Sequence, residues 1–148
     1  MTLKGIIISF TLLFLLTACC TSYEPLPSDA FDFKGNWTGT IQDSVGGQGT
    51  LIVSILFQSS GQYREVSLGG RWEADFGEKG KSAGLFNGTT FDYETIDGVL
   101  NPNTAIDCNL FPTLVRNGNS VSATYSAVSD LACQQAGFGQ GSLTLTRQ

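Results

Sequence analysis

Asp92, Glu94 and Asp97 gather three carboxyl groups in one short stretch of a 148-residue chain. Carboxylates two positions apart on an extended strand project to the same face. Their repulsion can raise one pKa and divide the pair into a general acid and a base. The same trio could hold calcium weakly, although the stretch lacks the ligand density of an EF-hand loop. The plainer reading is the wet face of a strand whose other face carries Phe91, Tyr93 and Thr95. We adopt it and assign no catalytic residue. The chain has no histidine, which removes the usual base of serine and cysteine nucleophile chemistry. Without histidine or a close cysteine pair in the body of the chain, no metal site is expected either. The expectation is a non-enzymatic protein without a cofactor.

The cysteines form two groups, Cys19 with Cys20 and Cys108 with Cys133. Lys4 puts a positive charge near the start, and Gly5 to Leu16 is apolar apart from Ser9 and Thr11. That run suits a signal-peptide core and falls short of the roughly 20 residues a membrane-spanning helix needs. It ends Leu16-Thr17-Ala18-Cys19. Small residues before the cysteine let an extended strand enter a peptidase cleft, and the cysteine offers a thiol for acylation. At all four positions the run resembles the lipobox of bacterial lipoproteins. The resemblance implies cleavage after Ala18, a diacylglyceryl group on Cys19 and often a further chain, such as palmitate, on the new amino terminus. Two or more acyl chains anchor a protein stably, where one holds it marginally. Cys20 follows the anchor, with no aspartate to suggest inner-membrane retention. The implied address is therefore the cell envelope, the outer membrane ahead of the inner. Cys20 is left free, lipid-proximal or used between chains. The expected organisation is a signal segment 1–18, a lipidated tether 19–33 containing Pro25 and Pro27, and a domain 34–148.

Export places the domain in an oxidising compartment, where a Cys108–Cys133 disulfide is the default. Closing a loop of about 25 residues contributes about 3 kcal/mol in the chain-entropy account. Thirteen acids oppose eight basic residues, for a formal charge of −5. Lys and Arg do not cluster, which argues against nucleic acid as a partner. An acidic surface favours solubility and tolerates a basic partner.

From Lys34 onward, period-two segments alternate with Gly, Asn and Asp turns, and no amphipathic helix stands out. In Arg64 to Phe76, the residues Val66, Leu68, Gly70, Trp72, Ala74 and Phe76 share one face, and Gly69-Gly70 permits a sharp bend. Gly49 to Gln58 places Leu51, Val53, Ile55 and Phe57 inward and Ile52 and Leu56 outward. Asn117-Gly118 marks a tight hairpin; with those two residues as the loop, Leu114 faces Val121, Leu110 faces Tyr125 and Cys108 faces Ala127. Pro112 cannot donate to a ladder and should mark a bulge or an edge. Asn36 to Gln42, Ser82 to Asn87, Thr89 to Ile96 and Gly141 to Arg147 complete about eight strands. The expected fold is an all-β, antiparallel, up-and-down barrel, which also removes exposed edges.

Gly35-Asn36-Trp37 at the start of the first strand resembles the Gly-x-Trp opening of lipocalins and related calycin barrels. The resemblance implies an arginine of the last strand, here Arg147, packing across the tryptophan. The lipocalin Thr-Asp-Tyr signature is absent, so the resemblance extends to the barrel and to no ligand site. The stretch from Cys108 to Arg147 also looks like small bacterial lipoproteins of undefined role. Ser59-Ser60-Gly61-Gln62-Tyr63 faintly resembles the inhibitory loop of periplasmic lysozyme inhibitors, but such residues suit any hairpin.

An eight-stranded barrel either fills with side chains or encloses one small ligand. Trp37, Trp72, Phe91, Tyr93 and Tyr125, beside Gly39, Gly70, Ala74 and Ala123, could frame an apolar pocket or be plain core. Two roles follow. One is a membrane-anchored binding domain for a small hydrophobic ligand or lipid. The other is a solid barrel that meets an envelope protein through its surface, as an accessory or an inhibitor. The volume of the interior separates them.

Overall fold

The computed structural model describes residues 25–61, 63–102, 108–127 and 131–148. The expected signal segment and lipidation site, Cys19, and its neighbour Cys20 lie outside the described residues. Eight strands, β1 (Gly35–Asp43), β2 (Gly47–Ser60), β3 (Val66–Asp75), β4 (Lys81–Thr90), β5 (Thr95–Pro102), β6 (Thr113–Asn117), β7 (Ser120–Ser126) and β8 (Gln140–Arg147), carry the fold. Each pairs antiparallel with its neighbour in sequence, and β8 returns to β1 to close an up-and-down barrel. The one short α-helix among the described residues, α1 (Leu131–Gln135), lies between β7 and β8, where the sequence suggested only a loop. No helix among the described residues is long and apolar enough to cross a membrane.

Strict alternation places the core. In β3, Val66, Leu68, Trp72 and Ala74 are buried, as their shared face required. Gly70 sits where two strands approach closely: a Cβ there would lie 1.9 Å from the Ser54 carbonyl oxygen of β2. Only glycine permits that approach.

Three strand expectations are corrected. First, Phe57 does not face inward. A bulge in β2 pairs Ile55 with Gly70 and Phe57 with Gly69, leaving Leu56 as the extra residue. The extra residue inverts the faces beyond it, so Phe57 lies outside, 53% exposed, against Gly69. Second, Thr89 to Ile96 is not one strand. β4 ends at Thr90 and β5 begins at Thr95. The Asp92 carboxylate accepts the N–H groups of Glu94 and Thr95, and the Thr90 hydroxyl accepts that of Tyr93. This local turn chemistry outweighs the alternation. Third, the hairpin loop is Gly118-Asn119, with Asn117 opposite Ser120 and Leu114 opposite Ala123. Gly118 has φ +61°, which suits a two-residue turn opened by glycine. The slip moves each partner by two positions, so the apolar residues still share a face.

Pro112 interrupts a ladder without shifting it. Gly98 donates its N–H to the Pro112 carbonyl at 2.8 Å, and the return bond is missing because proline has no N–H. Beyond the gap, Leu110 bridges Leu100 and Ala127 in the same register.

The topology gives the barrel two distinct ends. The chain enters at the mouth, where the β2–β3, β4–β5 and β6–β7 turns also lie. The remaining connections, including α1, gather at the base. There the Cys108–Cys133 disulfide joins α1 to the segment leading into β6.

Candidate functional site

The interior is filled. Its residual void is about 20 Å³, lined by apolar residues that include Phe33, Trp37, Phe86, Leu100 and Leu145. That is room for about one water molecule, far below the several hundred cubic ångströms of a ligand chamber.

The five predicted rings do not meet in one chamber. Trp37, Trp72 and Tyr125 are core residues. The Trp37 indole N–H donates to the Phe33 carbonyl at 2.8 Å. The Trp72 indole N–H is buried with no hydrogen-bond partner among the described residues, and its ring meets Phe138 edge-on at 5.8 Å. Tyr93 lies at the mouth, stacked on Phe33 at 6.5 Å. Phe91 lies outside the interior, 59% exposed, because it falls in the β4–β5 turn and not in a strand.

The base is held by a residue that the sequence reading passed over. Asp43, the last residue of β1, is buried, and its carboxylate accepts five hydrogen-bonding approaches. Val45 and Gly46 donate from the β1–β2 turn at 2.7 and 2.8 Å. Gly139 donates to both oxygens at 3.1 and 3.0 Å, and the Tyr125 hydroxyl donates at 2.7 Å. Burial, then the hydrogen bond to Asp43, then its charge push the Tyr125 phenol well above its ordinary pKa. An aspartate followed by Ser-Val-Gly-Gly is a turn-capping signal that could have marked this site.

The mouth is closed by Phe31 and Phe33, within the segment expected to be a tether. Phe33 is fully buried. The bulge in β2 brings Gln58 to meet them: its side chain donates to the Phe31 carbonyl at 2.9 Å and accepts the Phe33 N–H at 2.7 Å. Arg147 stands opposite Trp37 in the β1–β8 ladder. Its guanidinium reaches on to the Asp32 and Lys34 carbonyls at 2.7 and 2.8 Å. The Arg116 guanidinium lies 4.2 Å from the centre of the Phe31 ring, a cation–π contact, and donates to the Tyr93 carbonyl. A Phe-x-Phe pair just before the first strand was the available signal for this plug.

An open groove of about 570 Å³ runs along the mouth between Pro25-Leu26-Pro27 and the turns bearing Arg64, Phe91 and Tyr93. Tyr63, Arg64 and Tyr93 take positive φ values of 59°, 65° and 61°. Each such residue costs about 1–2 kcal/mol relative to a right-handed conformation. Such strain concentrates at functional sites, and here all three residues lie in the turns of one barrel end.

The acidic cluster acts as a turn cap. Hydrogen bonds from the Thr95 and Glu94 N–H groups hold the Asp92 carboxyl below its usual range. Asp92 and Glu94 lie in a turn and share no strand face, and Asp97 belongs to β5. An ionised cap is a poor proton donor. Among the described residues no cluster of three or more side chains could hold a metal ion.

Closed pairing, a filled apolar interior and a plugged mouth define a small eight-stranded up-and-down β-barrel. Among solved structures the chain is similar to a redesigned β-barrel, with a TM-score of 0.59 and 13% identity over 78% of this chain and 90% of that one. At that identity the likeness speaks to the fold alone. No protein-family model matches the chain, and no curated protein matches it in sequence.

Proposed function

We propose that this is a lipid-anchored envelope protein, held through acylated Cys19, whose barrel acts through its outer surface as an interaction or inhibitor module. It is non-enzymatic, and the outer membrane is its address. The observation that carries the surface reading is the filled interior, with a residual void of about 20 Å³. The anchor rests on the lipobox-like run Leu16-Thr17-Ala18-Cys19. The disulfide between Cys108 and Cys133 accords with an oxidising compartment.

The groove at the mouth favours a second reading. A small hydrophobic ligand would lie there, against Phe91 and Tyr93, and not among Trp37, Trp72 and Tyr125.

Mass spectrometry of the native product tests the anchor: loss of residues 1–18 and a diacylglyceryl mass on Cys19 are expected. Envelope crosslinking should capture a partner in a salt-sensitive way. Stoichiometric uptake of a hydrophobic probe into the barrel interior would overturn the surface reading.

A further inference from the structure

Two of the large exposed rings, Tyr63 at 90% and Phe91 at 59%, project from neighbouring turns at the mouth of the barrel. Phe57 and Phe111, also exposed, lie on the barrel wall and on the segment leading into β6. The chain arrives at that same mouth. Pro25 and Leu26 line the groove beside Phe91 and Tyr93. Phe31, Asp32 and Lys34 are fixed there by Gln58 and Arg147. From Cys19 to Pro25 the chain has about six residues, which reach at most about 20 Å when fully extended. The base stands roughly 20 Å further away, the height of a tilted barrel strand.

We propose that the mouth rests on the bilayer, with Tyr63 and Phe91 entering the headgroup region and the base facing away from the membrane. The proposal rests on the lipid-anchor reading. The amphipathic ring of tyrosine settles at the boundary between headgroups and acyl chains, and an exposed phenylalanine beside it leaves water by entering the same zone. The tether is too short and too well fixed at its barrel end to let the mouth roam far from the surface. The mouth carries both signs of charge, with Lys34, Arg64, Arg116 and Arg147 beside Asp29, Asp32, Glu65, Asp92 and Glu94. Recognition is therefore by the interfacial zone common to all bilayers and not by anionic lipid.

The test uses the full lipidated chain, reconstituted into phosphatidylcholine vesicles in which part of the lipid carries brominated acyl chains. Tyr63→Trp and Phe91→Trp each add a fluorophore at the mouth. Val45→Trp adds one at the base and Leu85→Trp one on the wall. All four sites are exposed, so the fold tolerates them, and retention of the disulfide checks it. Bromine quenching of the added emission should be several-fold stronger at the two mouth positions than at Val45 or Leu85. It should be unchanged when anionic phosphatidylglycerol is included. If the protein floats with the vesicles but the mouth positions are quenched no more than the base or wall, the docking is overturned and the anchor stands. If it does not float, the anchor reading fails and takes the docking with it.

Discussion

The Tyr125 hydroxyl donates to a buried Asp43 oxygen at 2.7 Å, joining two strands that are 82 positions apart in sequence. The pair closes the base, because the same carboxylate also accepts N–H groups from Gly46 and Gly139. Tyr125→Phe keeps the ring and removes one donor. A net loss of about 1–2 kcal/mol is expected from denaturant midpoints. Asp43→Ala should cost more, about 3 kcal/mol, because several buried donors lose their acceptor together.

The same pair sets an alkaline limit. The folded-state pKa of Tyr125 is raised above its ordinary 10.0. Its contribution is fully present below that value and is lost as pH rises further, because only the unfolded chain then ionises the phenol. Above pH 10 this group should lower stability by about 1.4 kcal/mol per pH unit. Urea titrations between pH 9 and 11 should show a shallower alkaline decline in Tyr125→Phe. An identical slope in both proteins would contradict the assignment.

The two tryptophans make opposite bargains with their indole N–H groups. Trp37 donates to the Phe33 carbonyl, whereas Trp72 is buried without a partner among the described residues. Trp37→Phe removes volume and strands a buried carbonyl, so a cost of about 2–3 kcal/mol is expected. Trp72→Phe removes similar volume but also removes an unsatisfied donor. Its cost should be smaller by about 1 kcal/mol or more. Thermal denaturation of the two variants side by side decides the order.

The Cys108–Cys133 bond ties α1 to the chain entering β6. Replacing both cysteines with serine should lower stability by about 3 kcal/mol while leaving the barrel closed. The ladders β1 to β4 have unbroken pairing apart from the bulge, and neither cysteine lies in them. Hydrogen exchange should quicken around Leu110 and α1 and stay unchanged in β1 to β4.

Where one face was buried and the other wet, the sequence was readable. Val66 to Asp75 alternates cleanly and forms β3 as expected. Gly141 to Arg147 does the same in β8. The barrel and the disulfide pairing followed from such patterns and from cysteine arithmetic. What was hidden depended on single local events. Nothing in Gly49 to Gln58 announces the bulge at Leu56, yet it turns Phe57 out and aligns Gln58 with the plug. Asp92 looked like one acid in an alternating strand until its N–H partners made it a turn. Asp43 fell one residue past the expected strand end, so its role at the base was missed. Phe31 and Phe33 were hidden by the prolines before them, which gave the whole segment the composition of a linker.

Phe33 offers the sharpest test of a solid barrel. Its side chain is fully buried, borders the residual void of about 20 Å³ and plugs the mouth beside Trp37. Phe33→Ala should cost about 3–5 kcal/mol, the usual range for a buried phenylalanine. The backbone on either side stays pinned, since Gln58 bonds the Phe31 carbonyl and the Phe33 N–H, and Arg147 bonds the carbonyls of Asp32 and Lys34. The mouth should therefore keep a ring-sized apolar cavity instead of collapsing. Such cavities stay dry and bind benzene or xenon. Benzene should raise the melting temperature of Phe33→Ala and leave the parent protein unchanged. A parent protein stabilised to the same degree would mean that the native interior already accepts a ligand.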